Sequence, residues 1–180
     1  MRQLWTFANQ LTLFRLLVIP LVLIAMLYGH HGWALALFLV AGITDGIDGL
    51  VARKLNQRTQ LGAYLDPIAD KFLLTSSFFM LALIGSVPWW VTILVLSRDF
   101  LIMTTILVIN LATGIREFPP SVLGKWNTTI QIATVFAVML WNAWRTPVTE
   151  GLARTLIWLT AGSTVASGVH YAILTSRRFQ

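Results

Sequence analysis

The sequence has no cysteine, and among 180 residues it has only seven acidic residues and three histidines. Without cysteine there is no disulfide framework and no thiolate metal site. Charge is scarce as well: charged residues make up 11% of the chain and hydrophobic ones 57%, with a mean hydropathy of +0.75. That balance is too apolar for a domain surrounded by water. Low-complexity tracts, linkers and internal repeats are also missing, so a single domain over residues 1–180 is expected.

What is present is a succession of apolar runs at 11–28, 33–53, 62–84, 88–110, 124–144 and 152–174. Each is close to the roughly 20 residues that cross a hydrocarbon layer of about 30 Å. They predict an all-α integral membrane protein with six transmembrane helices. Ahead of them MRQLWTFANQ mixes Leu4, Trp5 and Phe7 with polar residues, which predicts a short interfacial segment. Leu11 to Tyr28 runs on without a cleavage-site pattern, so the first helix is expected to be retained. The polar turn GLVARKLNQRTQ separates the second and third helices, and the glycine and prolines of ATGIREFPPS end the fourth.

Basic residues favour cytoplasmic loops. With the N-terminus inside, ten of the thirteen lysines and arginines lie at or near the cytoplasmic edge: Arg2, Arg15, Arg53, Lys54, Arg58, Lys71, Arg116, Lys125, Arg177 and Arg178. Both termini are therefore expected in the cytoplasm, with the chain in a prokaryotic inner (plasma) membrane. The net charge of +6 is read as a topology signal and a contact for anionic headgroups, with no nucleic-acid partner implied. His30 and His31 are adjacent in the first external turn, a spacing that suits solvated loop residues better than metal ligands.

Four of the seven acids crowd into DGIDGLVARKLNQRTQLGAYLDPIADK. On a helical wheel with Asp45 at zero, Asp48 falls near 300°, Gly49 near 40° and Ala52 near 340°, so acids and small residues share a face. Gly62, Asp66 and Asp70 recur every four residues and give a second such face on the third helix. Counted from the turn, the acids form two tiers about 8 and 14 Å deep. Like charges so placed must be protonated or hold cations between them, and hard oxygen donors without His or Cys suit magnesium, manganese or calcium. Two other readings exist. The acids can pair with Lys71, Arg98 or Arg53 as scaffold, or line a route for ions, but clustering near one side of the membrane without broken helix halves disfavours a route.

Asp45, Asp48, Gly49, Ala52, Arg53, Gly62, Asp66 and Asp70 fit the signature D-x2-D-G-x2-A-R-x8-G-x3-D-x3-D without a gap, and in this the chain resembles the CDP-alcohol phosphotransferase family. NQLTLFR at Asn9 to Arg15 resembles the start of that family's first helix. The resemblance implies transfer of a substituted phosphate from CDP-diacylglycerol to an alcohol, with CMP leaving. It implies two divalent cations, Mg2+ or Mn2+, held by Asp45, Asp48, Asp66 and Asp70, with Asp70 also the general base. Gly49, Ala52, Arg53 and Gly62 would line the CDP pocket, where small residues admit the nucleotide and the arginine offers a planar fork to phosphate. A homodimer is implied too, with Phe72, Phe78, Phe79, Trp89 and Trp90 as candidate contacts.

Arg98 in LSRDF and Lys125 in LGKWNTTIQ are the basic residues expected to meet an anionic acceptor. The alternatives are a pair between Arg98 and Asp99, and a positive-inside anchor at Lys125. S-R-D and G-K-x-x-T-x-x-Q resemble the branch that makes phosphatidylglycerol phosphate from glycerol 3-phosphate, and also the single-domain cardiolipin synthases that use phosphatidylglycerol. LIMTTILVINLATG lacks the Arg-Glu-Trp-like stretch of many glycerol-phosphate enzymes. Glycerol 3-phosphate ranks first because a small phosphorylated acceptor suits two basic residues. A cation-binding membrane protein or transporter without transferase activity is the rival from another class.

Overall fold

The computed structural model describes the backbone of residues 7–55, 60–113 and 122–178, and side chains over 13–44, 69–105, 111 and 122–173. Among the described residues every regular element is a helix: α1 (Phe7–Leu27), α2 (His31–Leu55), α3 (Gln60–Leu83), α4 (Trp89–Thr113), α5 (Val122–Trp144) and α6 (Pro147–Arg178). Six helices are where six apolar runs placed them. Two ends differ from expectation. Phe7 to Gln10 belong to α1 rather than to a separate interfacial segment, and α6 begins five residues before the apolar run at 152.

The chemistry of the turns accounts for these boundaries. α1 stops because Gly29 takes a φ of 74°, its N–H bonding Met26 O at 3.1 Å while His30 N–H bonds Ala25 O at 2.8 Å. α3 stops the same way, with Gly85 at φ 77°, Gly85 N–H to Ala82 O at 3.0 Å and Ser86 N–H to Leu81 O at 2.8 Å. Both are Schellman ends, which a residue without Cβ closes at no steric cost. α6 starts early because Thr146 caps it: Thr149 N–H donates to Thr146 Oγ1 at 3.2 Å and Thr146 N–H to Thr149 Oγ1 at 3.1 Å. Pro147 occupies the first helical position, where its missing N–H costs nothing.

Over the described residues α1 packs on α2 and α3, α5 packs on α2, α3 and α6, and α4 packs on α3 and α6. Thus α1 and α5 both touch the two helices that carry the aspartates. The shared core takes Val18, Ile19, Val22 and Met26 from α1, Phe38 from α2, Phe78 and Leu81 from α3, Val91 and Val95 from α4, and Val138 from α5. Phe78, expected at a subunit contact, is fully buried here, because it lies one turn from Leu74 and Leu81 on the inward face of α3.

Beside this apolar core several polar side chains are buried and many large apolar ones are exposed. Arg15, Ser77, Thr92, Asn127, Gln131, Thr134 and Thr160 are buried, while Leu17, Leu21, Ile24, Ile93, Leu101 and Trp158 are exposed. Inside, Thr134 and Thr160 hydroxyls bond at 2.6 Å, and Asn127 Oδ1 accepts from Ser163 at 2.8 Å and Thr164 at 3.1 Å, joining α5 to α6. Among the described residues no helix is long and apolar enough to cross a membrane.

Candidate functional site

The helical register of α2 runs unbroken through Asp45, Asp48, Gly49, Ala52 and Arg53, and that of α3 through Gly62, Asp66 and Asp70. Of these eight residues only Asp70 has a described side chain; the others lie outside the described side chains, as do the expected pairings of Arg53. Ala69, beside Asp70, is fully buried, as a small residue on a close-packed face should be.

Asp70 sits at an edge of the bundle, with its side chain 52% exposed, and Arg15 Nη1 of α1 donates to its Oδ1 at 3.0 Å. Arg15 itself is completely buried, as are Val18 and Ile19 further along α1. The next residue of α3 turns about 100° away and serves another helix. Lys71 Nζ lies 2.6 Å from Asp99 Oδ2 on α4, and Asp99 Oδ1 accepts from Arg98 Nη1 at 2.9 Å. Arg98 Nη2 donates in turn to Ser167 Oγ on α6. Two adjacent residues of α3 therefore make ion pairs with α1 on one side and α4 on the other, and Arg98 of α4 passes a hydrogen bond on to α6.

The expected partners of the acids are thus reassigned in part. Lys71 and Arg98 both hold Asp99, and Asp70 is held by Arg15. The pairing of Arg98 with its neighbour is the alternative weighed from sequence, and it is what the structure contains. Lys125 stands exposed in the first turn of α5, its carbonyl accepting from Thr129 at 3.1 Å. Sequence reasoning took Arg15 as a topology charge and as the end of the NQLTLFR stretch, and Asp99 as a neighbour of Arg98, but paired neither Arg15 with Asp70 nor Lys71 with Asp99. The signal for Arg15 was available: it is the one charge in a 21-residue helix, and an ion in that setting needs a partner.

Four carboxylates without sulfur or imidazole make a hard donor set, which fits a divalent cation such as Mg2+ or Mn2+. The half-exposed Asp70 carboxylate is consistent with that use. Among the described residues no group of three or more His, Cys, Asp or Glu is placed to hold a metal, and Asp45, Asp48 and Asp66 are not among them.

Residues 5–166 match the profile of the family described as CDP-alcohol phosphatidyltransferase. A Mycobacterium tuberculosis protein named a probable phosphatidylglycerophosphate synthase is 38% identical over 173 residues, covering 91% of this chain and 78% of the relative. A Bacillus subtilis protein named CDP-diacylglycerol--glycerol-3-phosphate 3-phosphatidyltransferase is 34% identical over 178 residues and covers 91% of each chain. A Schizosaccharomyces pombe fusion of a CMP-forming cardiolipin synthase and a mitochondrial hydrolase is 30% identical over 185 residues, 94% of this chain and 31% of the fusion.

Proposed function

The chain belongs to the CDP-alcohol phosphatidyltransferase family and is a transferase of phospholipid biosynthesis, and from that premise we propose that it moves the phosphatidyl group of CDP-diacylglycerol to glycerol 3-phosphate. The observation that carries the choice of acceptor is the likeness to the Bacillus subtilis relative, whose name states that reaction and which aligns over 91% of both chains. Arg98 and Lys125 supply the positive charge that a phosphate monoester of nearly two negative charges requires.

In this reading Asp45, Asp48, Asp66 and Asp70 hold two divalent cations, Mg2+ or Mn2+. When bound, the cations neutralise the diphosphate and stabilise the attacking and leaving oxygens. Gly49, Ala52 and Gly62 admit the nucleotide close to the backbone, and Arg53 forks onto phosphate. Asp70 takes the proton of the acceptor hydroxyl, whose oxygen bonds to the phosphorus that carries diacylglycerol. The bond from that phosphorus to the CMP oxygen breaks, and CMP departs. Lys125, exposed at the start of α5, orients the acceptor phosphate, and Arg98 reaches it only on release from Asp99 and Ser167.

Residence in a prokaryotic inner membrane, with both termini and the site facing the cytoplasm, belongs to the same proposal. It is supported by α1, whose outward side carries Leu13, Leu17, Leu21 and Ile24 although its inward side is also apolar. A helix apolar all round has no water-facing side. Acyl chains would then stay in lipid while CDP approaches from water.

A cardiolipin synthase reaction with phosphatidylglycerol is the second reading, favoured by the likeness to the Schizosaccharomyces pombe fusion over 94% of this chain. The test is CMP release from CDP-diacylglycerol by the purified protein across a panel of acceptors, with and without Mg2+ or Mn2+. Metal-dependent release with glycerol 3-phosphate is the expected result. Label from glycerol 3-phosphate that never enters lipid, while phosphatidylglycerol becomes cardiolipin, would promote the second reading. Cation binding without CMP release under any acceptor would leave a binding protein or transporter.

A further inference from the structure

We propose that Arg15 is a positioning residue for the transfer reaction, fixing the carboxylate of Asp70 from inside the bundle. This rests on the reading of Asp70 as metal ligand and base. The asymmetry of the pair is the observation behind it: the guanidinium is 0% exposed and the carboxylate 52% exposed, joined at 3.0 Å across 55 residues of sequence. Burying a guanidinium carries a desolvation penalty that pairing with a half-exposed carboxylate only partly offsets, so the pair is a poor device for stability alone. Here a cation is sunk in an otherwise uncharged helix, at a desolvation cost, to grip a carboxylate that stays within reach of a ligand.

The surroundings support a fixed grip. Val18, Ile19 and Val22, all buried, hold α1 in register below Arg15. Lys71, the cation nearest Asp70 in sequence, is engaged by Asp99 at 2.6 Å. The planar guanidinium sets both the distance and the plane of the group it binds, which an ammonium does not. A carboxylate that must hold a cation and then take a proton depends on being held in place, so α1 is coupled to the chemistry through Arg15, the last residue of NQLTLFR.

The test uses the full-length protein in detergent micelles and four variants: Arg15→Gln, Arg15→Lys, Asp70→Asn, and the double change of Arg15→Gln with Asp70→Asn. Mn2+ binding is read by electron paramagnetic resonance, with CMP release and thermal unfolding measured in parallel. Arg15→Gln is expected to lower turnover and Mn2+ affinity by about ten- to a hundredfold, the worth of one charge-assisted contact, with the KM for CDP-diacylglycerol little changed. In the Asp70→Asn background the same change should cause no further loss of Mn2+ affinity. Arg15→Lys should recover part of both properties. Equal losses of Mn2+ affinity in the two backgrounds would reduce Arg15 to scaffold and overturn the proposal, as would wild-type turnover in a folded Arg15→Gln protein. If that variant does not fold, wild-type turnover and Mn2+ binding in Arg15→Lys overturn it instead. A wild-type protein that binds Mn2+ yet releases no CMP removes the transfer reading, while the Mn2+ comparison still decides whether Arg15 acts through Asp70.

Discussion

At Asp48 and Asp66 the exchange of one carboxylate oxygen for an amide nitrogen keeps the volume and removes the charge that a hard cation needs. Asp48→Asn or Asp66→Asn should therefore abolish metal-dependent CMP release while the protein still folds, as judged by its melting curve and elution volume; unchanged turnover in either variant would remove the proposed site. Lys125 and Arg98 are expected to part company. Lys125 is exposed and its carbonyl accepts from Thr129, so Lys125→Ala should raise the KM for glycerol 3-phosphate about ten- to a hundredfold without changing thermal stability. Arg98→Gln takes one of two cations from the buried Asp99 and breaks the bond to Ser167. It should lower the melting midpoint as well, and a variant as stable as the parent would show that Lys71 alone satisfies Asp99. The spacing of acids and glycines made the candidate site legible, because ligand chemistry is written in residue types at fixed intervals. The partners of the charges were not legible. Arg15 lies 55 residues from Asp70, and Lys71 lies 28 before Asp99, so only packing decides which cation meets which acid.

The helices themselves were largely visible in the sequence, since an apolar run of about 20 residues has few other conformations. Their ends were less so. The two Schellman stops and the Thr146 cap depend on backbone hydrogen bonds that hydropathy does not register. α2 starts at His31 and α5 ends beside Arg145, and the two residues meet electrostatically. Burial, followed by the charges of Arg145 and His30, lowers the His31 pKa from its usual 6.5. The unfolded chain then holds its proton more tightly, so the stability that His31 contributes is present above pH 6.5 and is lost as pH falls through the lower folded value. Thermal unfolding scanned downward from pH 7.5 should show a decline that His31→Gln removes. Arg145 also has a φ of 48°, in the region that favours glycine. Arg145→Gly should thus add stability of roughly 1 kcal/mol or less and weaken the pH dependence, because strain and one repulsive charge go together. Lower stability, or an unaltered acid limb, would mean that Arg145 makes a contact worth more than its strain.

For the whole molecule the question is what covers its apolar exterior. In the proposed membrane setting a lipid bilayer would cover Leu17, Leu21 and Ile24 on α1, but the side formed by α3 and α4 has a different character. Phe72 is 57% exposed, and Phe79 and Trp89 stand edge to face at 5.6 Å, both about half exposed. Trp90 is turned instead toward Trp158 of α6, at 5.4 Å. A rigid aromatic pair next to an exposed phenylalanine offers contact area with little side-chain entropy left to lose, which favours a second copy of the chain at this face. The absence of cysteine makes the test direct, since each introduced thiol is the only one in the chain. Phe72→Cys and Phe79→Cys, oxidised in native membranes, should give a covalent species of about twice the 20.1 kDa chain mass. Leu17→Cys should remain monomeric, and Phe78→Cys should resist both oxidation and a thiol reagent because its position is fully buried. Monomer alone at both test positions, confirmed with an amine-reactive cross-linker, would reject the dimer and return the aromatic pair to lipid. A dimer linked equally well through Leu17→Cys would move the contact to α1, the helix whose Arg15 grips Asp70, and make turnover depend on assembly.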